Sequence, residues 1–145
     1  MKEAETNVRV LGEVRPRGGD TEKITINLGP VDLGQIDLLV EEGFYSNRTD
    51  MIRTAIRNQL ATHQQVIRDT VTRRALVLGL QHFSRQDLEA VRDANEKLAI
   101  QVLGLASIAA DVSPQLAVET IESITVLGAF HAPAAVKAAL AGRIH

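Results

Sequence analysis

The chain of 145 residues has no cysteine and no tryptophan, and aromatic residues make up only 3 % of it. Without cysteine there can be no disulfide, thiolate metal ligand, cysteine nucleophile or iron–sulfur cluster, a composition suited to a reducing cytoplasm. So few aromatics leave no stacking platform for single-stranded nucleic acid or a flat cofactor. Long apolar runs are also missing. The longest, Leu98 to Ala110, is interrupted by Gln101 and Ser107 and is too short for a bilayer-spanning helix. The opening MKEAETNVRV lacks the apolar core of a signal peptide. What is present is ordinary for a folded domain: 45 % of residues are hydrophobic and 23 % charged. The expectation is a soluble cytoplasmic protein of one domain or two small ones, with no membrane segment.

The formal net charge of −2 hides an uneven distribution. Residues 29–43 carry Asp32, Asp37, Glu41 and Glu42 and no base. Residues 44–74 carry Arg48, Arg53, Arg57, Arg68, Arg73 and Arg74 against Asp50 and Asp69 alone. A local basic face binds phosphate even when the whole chain is slightly acidic. Residues 75–145 have five bases and seven acids, so a polyanion would be held by the N-terminal half.

Residues 1–22 read as an arm broken by Pro16, Gly18 and Gly19, with Val8, Val10 and Val14 as a weak strand pattern. From Lys23 to Leu28 the sequence KITINL alternates strictly, which puts Ile24, Ile26 and Leu28 on one face of a strand and Lys23, Thr25 and Asn27 on the other. Asp32, with Gln35 three residues on, reads as the N-cap of a helix whose apolar stripe is Leu33, Ile36, Leu39 and Val40 and whose stop is Gly43. A second helix begins at Ser46 or Asn47 and buries Met51, Ile52, Ala55, Ile56 and Leu60. It either continues to about Arg74 or breaks near His63.

The C-terminal half repeats itself. Val-Leu-Gly occurs at 77–79, 102–104 and 126–128, each copy after β-type residues and before a helical stretch. Ser84 with Asp87 reads as a capping box, and Ser113 before Pro114 as a helix start. Three such units imply a parallel, solenoid-like stack. A further Val-Leu-Gly at 10–12 does not fit the period.

Strand, helix, glycine, short loop and a second helix opening in a polar cluster follow one another from Lys23 to Leu60. This order, with the run Gly43, Ser46, Asn47, Arg48, Thr49, Asp50, Met51, Ile52, Arg53, resembles the ribbon-helix-helix DNA-binding family of the CopG, MetJ and Arc type. Physics alone points the same way. About forty residues cannot bury enough apolar surface to fold alone, and a lone strand leaves its backbone groups unpaired. Two copies solve both problems if their strands pair antiparallel and their helices share a core of Ile24, Ile26, Leu28, Leu33, Ile36, Leu39, Ile52 and Ile56.

The resemblance implies an α+β fold in which this dimeric ribbon enters the DNA major groove. Lys23, Thr25 and Asn27 would read base edges, residue types whose donors, acceptors and methyl suit guanine, thymine and adenine. The second helix start would clamp backbone phosphate through Asn47, Arg48 and Thr49, with Arg53 one turn on. Arg48 at a helix N-terminus opposes the helix dipole, which favours an anionic partner there.

No catalytic, cofactor or metal site is expected. Ser84 and Ser113 read as caps, and no acid, base and nucleophile converge. His82 and His131 occupy equivalent repeat positions, while the middle repeat has Ser107 there. The organisation expected is an arm at 1–22, a ribbon-helix-helix at 23–60, a helical linker at 61–74 and a β–α repeat domain at 75–145 for oligomerisation or partner binding. The function expected is that of a homodimeric, sequence-specific, nucleoid-associated repressor of transcription. Two rivals are an autorepressing antitoxin with a toxin-binding C-terminal half and a DNA-anchored structural protein that self-assembles.

Overall fold

A computed structural model describes residues 21–145. The arm, with its valine alternation and the Val-Leu-Gly at 10–12, lies outside the described residues except for its last two positions. The architecture is mixed helix and strand, in two units: Glu22–Thr72, and a second that includes Arg73–His145.

The first unit is helical. Helix α1 spans Pro30–Glu41 and α2 spans Arg48–Thr62, while α3, Gln64–Arg73, leads to the boundary. One expectation is corrected at the start of α1. The N-cap is Gly29, not Asp32, and Pro30 takes the first helical position. Proline presets the helical φ and lacks only an N–H that would be unpaired there anyway. Asp32 falls in the first turn instead, where its charge suits the dipole. Gly43, at φ +84°, ends α1. The Phe44 N–H donates to Leu39 O at 2.9 Å and the Gly43 N–H to Val40 O at 3.1 Å, the paired bonds of a Schellman ending. The break near His63 is observed: His63 caps the C-terminus of α2, and α3 starts directly after it.

Residues 21–29 form neither helix nor strand. The strand expected over Lys23–Leu28 therefore has no ladder partner within the described chain.

The second unit is a parallel three-stranded sheet in the order β1 (Val77–Phe83), β2 (Leu98–Ile108), β3 (Ile121–His131). Helices α4 (Arg85–Asp93) and α5 (Pro114–Thr120) connect the strands, and α6 (Ala134–Ala139) follows the last. Ser84 closes a reciprocal capping box with Asp87, and Ser113 accepts from the Leu116 N–H at 3.1 Å ahead of Pro114. Alternate strand residues Ile100, Val102, Ala106 and Ile108 pack with Leu88, Leu116, Ala117, Val136 and Leu140 from the helices into one core. Arg143 donates to Val118 O and Ile121 O at 2.7 and 2.6 Å, pairing carbonyls at the C-terminal end of α5.

The three Val-Leu-Gly copies sit in register, Gly79 beside Gly104 and Gly104 beside Gly128. Their φ values are +130°, +140° and +125°. A Cβ on Gly104 would collide with the carbonyl oxygen of Gly79, and one on Gly128 with that of Gly104. Backbone contact between neighbouring strands thus requires glycine at 104 and 128, while at Gly79 the positive φ alone favours it.

Candidate nucleic-acid interface

The site begins with an exposed segment. Every residue from Thr21 to Gly29 is exposed, including Lys23, Thr25 and Asn27. The apolar residues between them are exposed as well, Ile24 at 73 %, Ile26 at 57 % and Leu28 at 42 %. Of the other residues expected in a shared core, Ile36 is buried, Leu33, Leu39 and Ile52 are half-buried, and Ile56 is 45 % exposed.

The start of α2 supplies the second group. Asn47 adopts an extended conformation and its Oδ1 accepts from the Asp50 N–H at 2.8 Å, while Asp50 Oδ2 accepts from the Ser46 N–H at 2.9 Å. This reciprocal arrangement fixes the loop and satisfies one first-turn donor. The amides of Arg48 and Thr49, at the first two helical positions, remain available to an outside acceptor. Thr49 and Arg53 are exposed, Arg53 one turn further along the helix.

Arg48 is engaged, which the sequence reading did not anticipate. Its Nε donates to Asp37 Oδ1 at 2.7 Å and its Nη2 to Asp37 Oδ2 at 2.8 Å, a bidentate pair from the second helix to the first. Both side chains are about half exposed. The Arg48 hydrogen bond and charge hold the Asp37 carboxyl below its ordinary value, and the same contact raises Arg48. A carboxylate thus already answers the guanidinium at the dipole-disfavoured position, with the fork geometry a phosphate would use. The available signal was the switch from an acidic stretch at 29–43 to a basic one at 44–74, across a turn that brings the two helices together.

Within the second unit, His82, Ser107 and His131 align across the sheet, and His82 Nδ1 lies 2.7 Å from Ser107 Oγ. Among the described residues no group of three His, Asp or Glu is placed to hold a metal ion. No helix among them is long and apolar enough to cross a membrane.

No curated protein and no solved structure matches the chain. The profile of the ribbon-helix-helix transcriptional regulator family does match it over residues 19–137, from before the exposed segment to α6. That span covers most of the chain and takes in the KITINL segment, the glycine turn and the capped start of α2. The chain therefore belongs to the ribbon-helix-helix transcriptional regulator family.

Proposed function

We propose that the protein is a homodimeric, sequence-specific repressor that binds double-stranded DNA through a ribbon formed by Lys23–Leu28 of two copies. The observation that carries this reading is the exposure of Ile24, Ile26 and Leu28 in a unit whose one buried hydrophobic residue among those described is Ile36. Three alternate apolar residues at 73, 57 and 42 % exposure next to a nearly absent core leave a single copy short of the burial folding requires. A second copy pairing edge to edge covers that face and satisfies the free backbone. It also places two sets of Lys23, Thr25 and Asn27 on the opposite face, as a two-stranded ribbon of the width the major groove admits.

The helix start of α2 then meets backbone phosphate through the amides of Arg48 and Thr49, with the Thr49 hydroxyl, Arg48 and Arg53 around them and Asn47 holding the turn. These contacts set register and affinity; the ribbon sets sequence preference. Repression follows by occlusion of a short operator of two half-sites. The protein acts where chromosomal DNA is, in the cytoplasm and on the nucleoid. The packed core at 73–145 favours a regulator over an antitoxin, whose toxin-binding segment is polar and unfolded when free.

Gel-shift titration with an operator selected from random duplexes tests the assignment. Asn27→Ala is expected to erase the preference for that operator and leave non-specific binding. Arg53→Ala should weaken all sequences alike and lower the salt slope by about one. Unchanged specific binding by both variants would remove the contact faces proposed here.

A further inference from the structure

Among the described residues of the second unit, helices α4, α5 and α6 all pack into the core on one face of the sheet. Its core takes alternate strand residues, and the residues between them point the other way. On that opposite side the register aligns Leu78, Leu103 and Leu127 in one row and Leu80, Leu105 and Ala129 in the next. None of the six belongs to the buried cluster or to the residues packed against it. Leu78 is 69 % exposed and Leu127 43 % exposed. From Leu78, Ala99 and Ser123 onward, every outward position of the three strands is Leu, Ala, Gln, Ser, Thr or His; none is Asp, Glu, Lys or Arg.

Parallel sheets are ordinarily covered on both faces, and a charge-free apolar patch of this kind marks a contact surface. We propose that this face packs against the same face of a second copy of the chain, forming a two-layer sheet sandwich about a two-fold axis. The proposal rests on the N-terminal pairing proposed above.

Two arguments select a second copy as the occupant. A surface without charge has no electrostatic feature with which to choose a different partner, but it complements itself. The area points the same way. Three strands about 4.8 Å apart and some five residues long present roughly 240 Å² of sheet plane per copy, or roughly 480 Å² for the pair. That is well under the 1,200 Å² or so that a free-standing interface needs. Such a patch associates when another interaction already holds its partner close, and a dimer joined at residues 23–28 supplies an effective concentration of about millimolar.

Because the chain has no cysteine, a single introduced thiol reports directly. In the full chain, Leu103→Cys lies at the centre of the face, and Gln115→Cys lies exposed on the helical side. With a short bis-maleimide at micromolar protein, Leu103→Cys is expected to form covalent dimers roughly tenfold or more faster than Gln115→Cys. Adding Leu105→Lys to Leu103→Cys should abolish that advantage and open the thiol to a monofunctional maleimide, with the circular dichroism spectrum unchanged. Equal cross-linking rates for the two single variants would overturn the proposal. So would a Leu103→Cys thiol that is shielded yet never cross-links, since some other segment or protein would then cover the face. Sedimentation of the same samples separates the two readings. A chain that is dimeric and fails to cross-link loses only the sheet interface, whereas a monomeric chain loses the N-terminal pairing as well.

Discussion

The two units bury apolar side chains to very different extents. The hydrophobic core cluster runs from Phe83 to Leu140 and joins all three strands to their helices. In Glu22–Thr72, Ile36 alone among the described hydrophobic residues is buried, while Ile24, Ile26, Val31, Leu38, Phe44, Ile56, Leu60 and Val66 are all well exposed. Both segments carry regular secondary structure, so local hydrogen bonding does not separate them. Burial does: residues 73–145 close their core within one copy, and residues 22–72 leave theirs open. On the proposed reading, the unit that meets DNA is thus also the one whose stability depends most on association.

The largest effect expected comes from breaking the self-contained unit at its glycine ladder. Gly104→Val puts a side chain against the carbonyl oxygen of Gly79 at a φ of +140°. It should cost more than about 4 kcal/mol and abolish cooperative unfolding of residues 73–145, read by circular dichroism during heating. Gly79→Ala is the internal control. Its φ is +130°, but nothing lies within 4 Å of the added Cβ, so only the conformational strain remains, about 1–3 kcal/mol. Equal losses at the two positions would mean that strand contact is not what the repeated glycine serves.

Next in size is a pair of substitutions that treat the units differently. Leu88→Ala removes a fully buried side chain and should cost about 2–5 kcal/mol, with a denaturation midpoint independent of protein concentration. Ile26→Asp changes a residue that is 57 % exposed in one copy. A single-copy account predicts almost no effect there. Pairing through the ribbon predicts loss of the dimer by sedimentation and of the concentration dependence of melting. A silent Ile26→Asp would erase the contrast between the units.

A smaller effect concerns pH. Asp37 has its carboxyl lowered by Arg48, so the ion pair stabilises the folded unit above the ordinary aspartate value of 3.8. That contribution fades as pH falls through the lowered folded-state value. Both groups are solvent-exposed, so the effect on stability is slight. Asp37→Asn should flatten the acid limb of the stability curve and, by freeing Arg48, strengthen binding to any duplex. A gel shift on random-sequence DNA at low salt reads the second outcome, and unchanged affinity would mean that Arg48 does not reach phosphate.

Much of this was legible in the sequence because local rules decided it. Gly43, Asn47, Ser84 and Ser113 each act at a helix end, where one side chain or one φ fixes the outcome. The three glycines marked strands that do lie parallel and in register. Asp32 was misread as a cap because a capping-box pattern competed with Pro30, whose fixed φ starts the helix three residues earlier. The Asp37–Arg48 pair was missed because it spans eleven positions and two helices, and no periodic rule reaches that far. Which face of the sheet the helices cover was not read from the strand sequences either. Leu78, Leu80, Leu103 and Leu105 stand outward opposite Val77, Val102 and Ala106, and both sets are apolar, so alternation of polarity gives no direction.

The smallest effect expected is a gain, and its sign bears on the unit that lacks a core. Gly34 lies inside α1, exposed, with nothing within 4 Å of an added Cβ. It is offset by two residues from buried Ile36, which puts it on the opposite side of the helix. Gly34→Ala should therefore stabilise residues 22–72 by about 0.5–1 kcal/mol, through lower entropy of the unfolded chain and better helix propensity. If a second copy approached the backbone of α1 at this point, the added methyl would be refused and the change would destabilise. A rise in the denaturation midpoint leaves the copies meeting through the ribbon and the Ile36 face of the helix; a fall moves the contact to the other side of α1 and with it the arrangement of the shared core.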